Sequence, residues 1–206
     1  MQIADSRGIP QTPYPDHLIH CWRLVSGRVV TVRPVRPQDG ELEQDFIRSL
    51  SPKARYYRFF NAIRELSPEL LWQLTHVDYR RSMTLLAVVR DGGREAQLGV
   101  AQYVADQDAH VCDFALVIHD AWQGHGLGSL MLDTLEQRAR AAGLTRMEGD
   151  IIADNQPMLR LARSRGFTVR INEEDPSLLR VSKTLAEPAE AQLRFAQAAK
   201  RVPCSA

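Results

Sequence analysis

Residues 113–129 combine residue types and spacing that can hold an anion. The run Asp113-Phe114-Ala115-Leu116-Val117-Ile118-His119-Asp120-Ala121-Trp122-Gln123-Gly124-His125-Gly126-Leu127-Gly128-Ser129 reads as a short apolar strand, a glycine-rich turn and the start of a helix. A helix N-terminus presents unpaired N–H groups and the positive end of the peptide dipole. Glycines at alternate positions, Gly124, Gly126 and Gly128, let that backbone approach a phosphate or pyrophosphate without a Cβ in the way. A dinucleotide fingerprint would need a repeating β-α-β chain around the turn, and a Walker loop would need Gly-Lys-Ser/Thr after it; neither is present.

Other side chains near this stretch could carry chemistry. Strand alternation puts Asp113 on the same face as Val111, Ala115 and Val117. A carboxylate among apolar neighbours holds its proton more readily, which suits a general base; the plainer alternative is an exposed strand-end aspartate. His119 and His125 flank the loop, and His125 reads as a phosphate contact or a solvated loop histidine. His76, Asp78 and Tyr79 precede a strand and could line an acceptor cleft or simply end a helix. Arg55, Tyr56, Tyr57 and Arg58 form an aromatic-basic cluster, read as packing over the cleft, because a formal net charge of +1 argues against nucleic acid. Cys112 alternates to the face opposite Asp113, away from a nucleophile's place. The three cysteines, Cys21, Cys112 and Cys204, are odd in number and widely spaced, so the expectation is reduced thiols in a cytoplasmic protein, with neither a disulfide framework nor a metal cluster.

The elements that must position these residues follow from punctuation and periodicity. At 206 residues, 44% hydrophobic and 25% charged, the chain fits one soluble domain with appendages. No apolar run reaches the roughly 18 residues of a spanning helix, and no basic-then-apolar leader opens the chain, so neither a membrane nor secretion is expected. Residues 1–16 read as a loose arm. Residues 17–24 and 29–35 are β-prone, with Ser26-Gly27 as a hairpin turn. Asp39 reads as the N-cap of a helix to about Ser49, and Ser51-Pro52 and Ser67-Pro68-Glu69 open two more. Residues 83–89, 97–105 and 111–118 make an antiparallel meander, with turns at Asp91-Gly92-Gly93 and Gln107-Asp108. A helix from Gly126 to Ala142, a strand over 147–153 and a helix over 155–164 then imply a right-handed crossover. Residues 167–171 and 178–185 are the last strands, and 187–201 a weak helix.

The loop Gln123-Gly124-His125-Gly126-Leu127-Gly128 resembles the Gln/Arg-x-x-Gly-x-Gly/Ala loop of the GNAT N-acetyltransferases. Asn155 after the next strand and Gly166-Phe167 after the following helix match that family's landmarks too, over about residues 28–185. Val32-Arg33-Pro34-Val35-Arg36-Pro37-Gln38-Asp39, Leu50-Ser51-Pro52 with Arg55-Tyr56-Tyr57-Arg58-Phe59-Phe60, and Asp78-Tyr79 narrow the resemblance to the acetyltransferase domain of Pat-type protein lysine acetyltransferases. Larger relatives fuse that domain to a synthetase-like or cyclic-nucleotide-binding domain; this length implies a stand-alone version.

The resemblance implies an α+β (α/β) GNAT fold: a mixed, mostly antiparallel sheet of about seven strands flanked by helices, with residues 1–27 as arm and leading strand, 28–185 as the acetyltransferase domain and 186–206 as a helical appendage. It implies a splay between the parallel strands 111–118 and 147–153 that holds acetyl-CoA, with no metal. The pyrophosphate would lie on Gln123, Gly124, His125, Gly126, Leu127, Gly128 and Ser129. The pantetheine arm would pair along Leu116, Val117 and Ile118, with an oxyanion donor near Val117, and Asn155 would contact the arm. Asp113 stands where Pat-like enzymes place a catalytic glutamate, one methylene shorter. Ala162 stands where many relatives carry a tyrosine acid. The implied function is acetyl transfer from acetyl-CoA to a protein lysine ε-amine by direct attack in a ternary complex. Two alternatives stay open: a small-amine (polyamine or aminoglycoside) acetyltransferase, and a non-catalytic acyl-CoA sensor. An edge strand near the C-terminus could support a homodimer.

Overall fold

The computed structural model describes residues 12–106, 110–185 and 199–204. Nine strands form one sheet in the order β7-β8-β6-β5-β4-β3-β2-β1-β9. They are β1 (His20–Leu24), β2 (Val29–Pro34), β3 (Ser82–Asp91), β4 (Arg94–Ala105), β5 (Val111–Ile118), β6 (Arg146–Ile152), β7 (Thr168–Ile171), β8 (Leu178–Thr184) and β9 (Ala199–Val202). All neighbours are antiparallel except β5 and β6. Among the described residues the α-helices are α1 (Gly40–Ser49), α2 (Pro52–Phe59), α3 (Pro68–Thr75), α4 (Leu127–Ala141) and α5 (Gln156–Ser164).

The continuous apolar run of β3 has a physical reason: both its faces are covered. Met83, Leu85 and Ala87 join the core under α4, which holds Leu127, Leu130, Met131 and Leu135. Leu86 and Val88 join a second core with Phe46, Ile47 and Leu50, under α1, α2 and α3. The serine signals act as read: Ser51 Oγ accepts from Ala54 N at 3.1 Å and Ser67 Oγ from Leu70 N at 3.2 Å, each ahead of a proline.

Asp39 departs from expectation. Its carboxylate makes no side-chain cap on α1 and instead clasps Arg33, at 2.7 and 2.9 Å, while accepting from Arg36 N at 2.6 Å. Glu95 on β4 takes the other side of the same guanidinium, at 2.6 Å. Arg33 is only 2% exposed, so the entry to α1 is tied to two strands by a largely buried ion triad whose Glu95 is partly open to solvent. The Arg-Pro-x-x-Pro-x-Asp segment thus serves structure here.

Both ends also differ from the sequence reading. Residues 1–11 lie outside the described residues, but Tyr14 is docked, donating to Pro34 O at 2.8 Å and lying edge-on to Tyr79. Residues 16–18 form a 3-10 turn before β1 rather than part of the strand. The expected weak helix lies mostly outside the described residues, and its last part is strand β9, paired with β1. The 107–108 turn also lies outside them. Cys204 follows β9 and is disulfide-bonded to Cys21, with Cα atoms 5.2 Å apart, which corrects the reading of three reduced thiols. Only Cys112 is free, and it is buried.

Glu43 on α1 is 1% exposed, and its carboxylate accepts from Gln97 Nε2 at 2.6 Å. Burial pushes its pKa up from 4.5 to about 7, against the pull of Gln97 and Arg58. Between those values the folded chain keeps a proton that the unfolded chain has released, so stability falls as pH rises through the window. The fall attributable to Glu43 is about 3 kcal/mol at roughly 1.4 kcal/mol per pH unit. Urea midpoints for Glu43→Gln should decline less between pH 4.5 and 7.5 than those of the parent chain; an equal decline would remove Glu43 as the cause. Alkylation of the unfolded chain without reductant should label one cysteine, and three after reduction, read by intact mass. Three labels without reductant would break the Cys21–Cys204 assignment.

Candidate active site

β5 and β6 share only three register pairs, Val111↔Arg146, Cys112↔Met147 and Asp113↔Glu148. Beyond them β5 stays bonded to β4 as far as Ile118, and β6 to β8 as far as Ile152, so the sheet opens between two intact halves. Gly149 sits at the fork, where a Cβ would come within 2.9 Å of the Phe114 carbonyl. The opening is a cleft of about 710 Å³. Its walls are the β5 end, the loop before α4, the N-terminus of α5 and, across from them, α2.

The cleft brings together most of the binding residues read from sequence: Leu116, Val117, Ile118, Gln123, Gly124, Gly126, Gly128, Ser129 and Asn155. Two stand apart. The Leu127 side chain is wholly buried in the core, and His125 Nδ1 lies 2.8 Å from the Gln123 carbonyl oxygen. The glycines divide their work. Gly124 and Gly126 have φ of +77° and +85°, the left-handed region that L side chains avoid. Gly128 is needed for packing: a Cβ there would meet Leu161 of α5 at 3.3 Å and Ile118 at 3.7 Å. No side chain caps α4, so the N–H groups of its first turn are left to an external acceptor.

Two cleft side chains have internal duties that the sequence did not show. Asn155 Oδ1 accepts from Met158 N at 3.2 Å and caps α5, and Gln123 Nε2 donates to Ile118 O at 3.0 Å. Ser51, the cap of α2, also donates its hydroxyl to Asp120 at 2.7 Å and its N–H to the same carboxylate at 3.0 Å, fixing α2 against the loop.

A second cavity of about 310 Å³ adjoins the cleft and contains Asp113, Asp150, Arg180, Gly149 and Phe60. Asp113 is therefore beside the cleft, but its surroundings differ from those expected. Its side chain is 75% exposed, and it meets charges instead of apolar neighbours. Arg180 Nη1 lies 3.3 Å from Asp113 and 3.6 Å from Glu148, and its Nε lies 3.0 Å from Asp150. Partial burial raises the Asp113 pKa above the ordinary value; Arg180 lowers it, and Glu148, Asp150 and Asp106 raise it. Arg180, Glu148 and Asp150 were missed because they act through sheet pairing. Their one sequence signal is alternation along two strands. His76, by contrast, stacks on Trp72 at 4.7 Å, and Tyr79 donates to Val35 O at 3.0 Å; neither lines the two cavities.

A model of the acetyltransferase (GNAT) family matches residues 47–167, which include α2, the loop and α5. The chain belongs to the GNAT acetyltransferase family. Acetyltransferase PA5475 of Pseudomonas aeruginosa is 37% identical over 161 residues, covering 78% of this chain and 84% of that protein. Acetyltransferase Pat of Mycolicibacterium smegmatis is 26% identical over 159 residues, 71% of this chain, which spans only 47% of that relative. Among solved structures, the GNAT domain of S. lividans PAT superposes with a TM-score of 0.76 at 26% identity, over 84% of this chain and 99% of that one. The fold of yncA from Salmonella typhimurium, solved with its cofactor acetyl-CoA, is shared at a TM-score of 0.60 and 21% identity, over 78% of this chain and 96% of that one. The GNAT chain is thus an acyltransferase resembling Pat, with the α+β fold expected and β1 and β9 extending one edge of the sheet beyond seven strands.

Arg180 is the cation paired with Asp113 in this GNAT site. In a carbon-13 NMR titration, the Asp113 carboxyl of Arg180→Gln should titrate at higher pH than in the parent chain, because Glu148 and Asp150 remain while the guanidinium is gone. An unchanged or lower midpoint would mean that the ion pair does not exist in solution.

Proposed function

We propose that this GNAT enzyme transfers an acetyl group from acetyl-CoA to the ε-amine of a protein lysine. The observation that carries the reading is the adjoining pair of cavities: a cleft with an uncapped helix N-terminus beside a smaller cavity with Asp113, Asp150 and nearby Glu148. The cleft residues fit the donor. The α4 N-terminus and the turn at Gly124 and Gly126 offer N–H groups to a pyrophosphate, and the β5 edge facing β6 lacks a strand partner beyond Asp113. The donor supplies an activated thioester; the chain supplies orientation and a route for the proton. Three carboxylates around one arginine favour a cationic acceptor. A lysine amine, of reference pKa about 10.4, arrives protonated, and Asp113 takes that proton directly or through water. The Pat-type names among the relatives support a protein acceptor over a polyamine or aminoglycoside.

Incubation with acetyl-CoA, a panel of proteins and a panel of small amines, followed by mass spectrometry, should show a gain of one acetyl group on protein lysines. Asp113→Asn should lower kcat by about 100-fold or more, in the usual range for a general base, with CoA affinity near that of the parent. Acetylation confined to small amines would replace the acceptor. Tight CoA binding with no turnover on either panel would leave a non-catalytic acyl-CoA sensor.

A further inference from the structure

Donor cleft and acceptor cavity share five residues, Tyr57, Arg58, Leu116, Asn155 and Met158. Whatever joins the two substrates must do so against this common wall. Leu116 and Met158 are apolar. Asn155 is committed to Met158 N, and Tyr57 reaches across to Asp154 O at 3.4 Å. Arg58 alone brings a permanent charge. Among the described residues it makes no hydrogen bond and no ion pair; its Nε is buried without a partner, and its guanidinium rests 4.8 Å from the Phe59 ring centre. Glu43 acts on it electrostatically and favours its charged form. Burial pulls its pKa down to about 10, so it remains cationic at neutral pH. A guanidinium carries five N–H donors; here Nε is buried without a partner while the side chain, half-buried, faces both cavities.

We propose that Arg58 is a catalytic residue that donates to the thioester carbonyl oxygen and holds the negative charge formed there as the acceptor amine attacks. The proposal rests on the acetyl-transfer reading above. The amine nitrogen forms a bond to the carbonyl carbon, and the π electrons move to the oxygen facing Arg58. Collapse of that oxyanion breaks the C–S bond and releases CoA as thiolate. Two protons leave the nitrogen: Asp113 takes the first from the ammonium before attack and passes it to water, and takes the second as the tetrahedral intermediate collapses to the amide. Arg58 itself gains and loses nothing; it is a fixed donor aimed at the place where charge develops, the arrangement that lowers barriers most in a water-poor site.

The test is difference infrared spectroscopy of acetyl-CoA labelled with carbon-13 at the thioester carbonyl, bound to the parent chain, to Arg58→Met and to Arg58→Lys. The carbonyl stretch should lie lower in the parent than in Arg58→Met, with Arg58→Lys between them. Turnover of Arg58→Met should fall by about 100-fold, as for loss of one oxyanion donor, while CoA itself binds all three chains equally, which also certifies their folds. Guanidinium ion added to Arg58→Ala should restore part of the rate. An identical stretch in parent and Arg58→Met, or full turnover in that variant, would overturn the proposal while leaving acetyl transfer intact. A parent chain that binds acetyl-CoA but never transfers the acetyl group would instead sink the underlying reading.

Discussion

A backbone that leaves one hydrogen-bonded neighbour without finding another must be repaired from outside, and β5 is such a backbone. It keeps its ladder to β4 along its whole length, yet pairs with β6 only as far as Asp113. Unpaired N–H and C=O groups away from water are costly, so the open edge is tolerated where the cleft lets water or a substrate reach it. The rest of the site follows from that parting. The α4 N-terminus rises from the end of β5, α5 from the end of β6, and both point into the gap. Gly128 and Gly149 are small for complementary reasons: one lets α4 lie close to α5 and β5, the other lets the two strands touch at the fork before they separate.

Opposite the gap, α2 is held by one long-range and one local device. Ser51 binds Asp120, and Arg55 donates to the Leu50 carbonyl at 2.5 Å. Upstream, α1 is anchored by Arg33, Asp39 and Glu95. A buried triad of this kind adds little net stability over an apolar replacement, but removing one member strands the others. Its value here is register: it locks the turn before α1 onto β2 and β4, and so sets where α1 and, through the shared core, α2 come to rest.

Much of this was readable in the residues. Serine-proline pairs announced α2 and α3, an unbroken apolar run announced a strand buried on both faces, and Gln123 to Gly128 announced the glycine turn that opens on the cleft ahead of α4. What escaped reading depends on pairing across distance. Asp113 looked solitary because Arg180 stands 67 positions away and reaches it only because β8 is inserted beside β6 ahead of β7. Asp39 looked like a cap because local spacing cannot reveal a competing partner such as Arg33, which offers two hydrogen bonds to one carboxylate. Cys204 looked idle for the same reason: only the return of β9 to β1 brings it to Cys21.

That last pairing changes the topology of the molecule. The bond joins positions 183 residues apart, so among the described residues the sheet beyond His20 and all five α-helices lie inside a covalent ring. Tension applied on either side of the ring runs through the sulfur atoms, and of the strands only β1 feels it, at His20 and Cys21. An unfolding machine that threads the chain meets a closed loop at this bond and must carry two strands abreast or wait for a reductant. The oxidised protein is therefore mechanically shielded in a way that its hydrogen bonds and core do not provide, and a change in thiol redox state would alter its lifetime without touching a residue of the cleft.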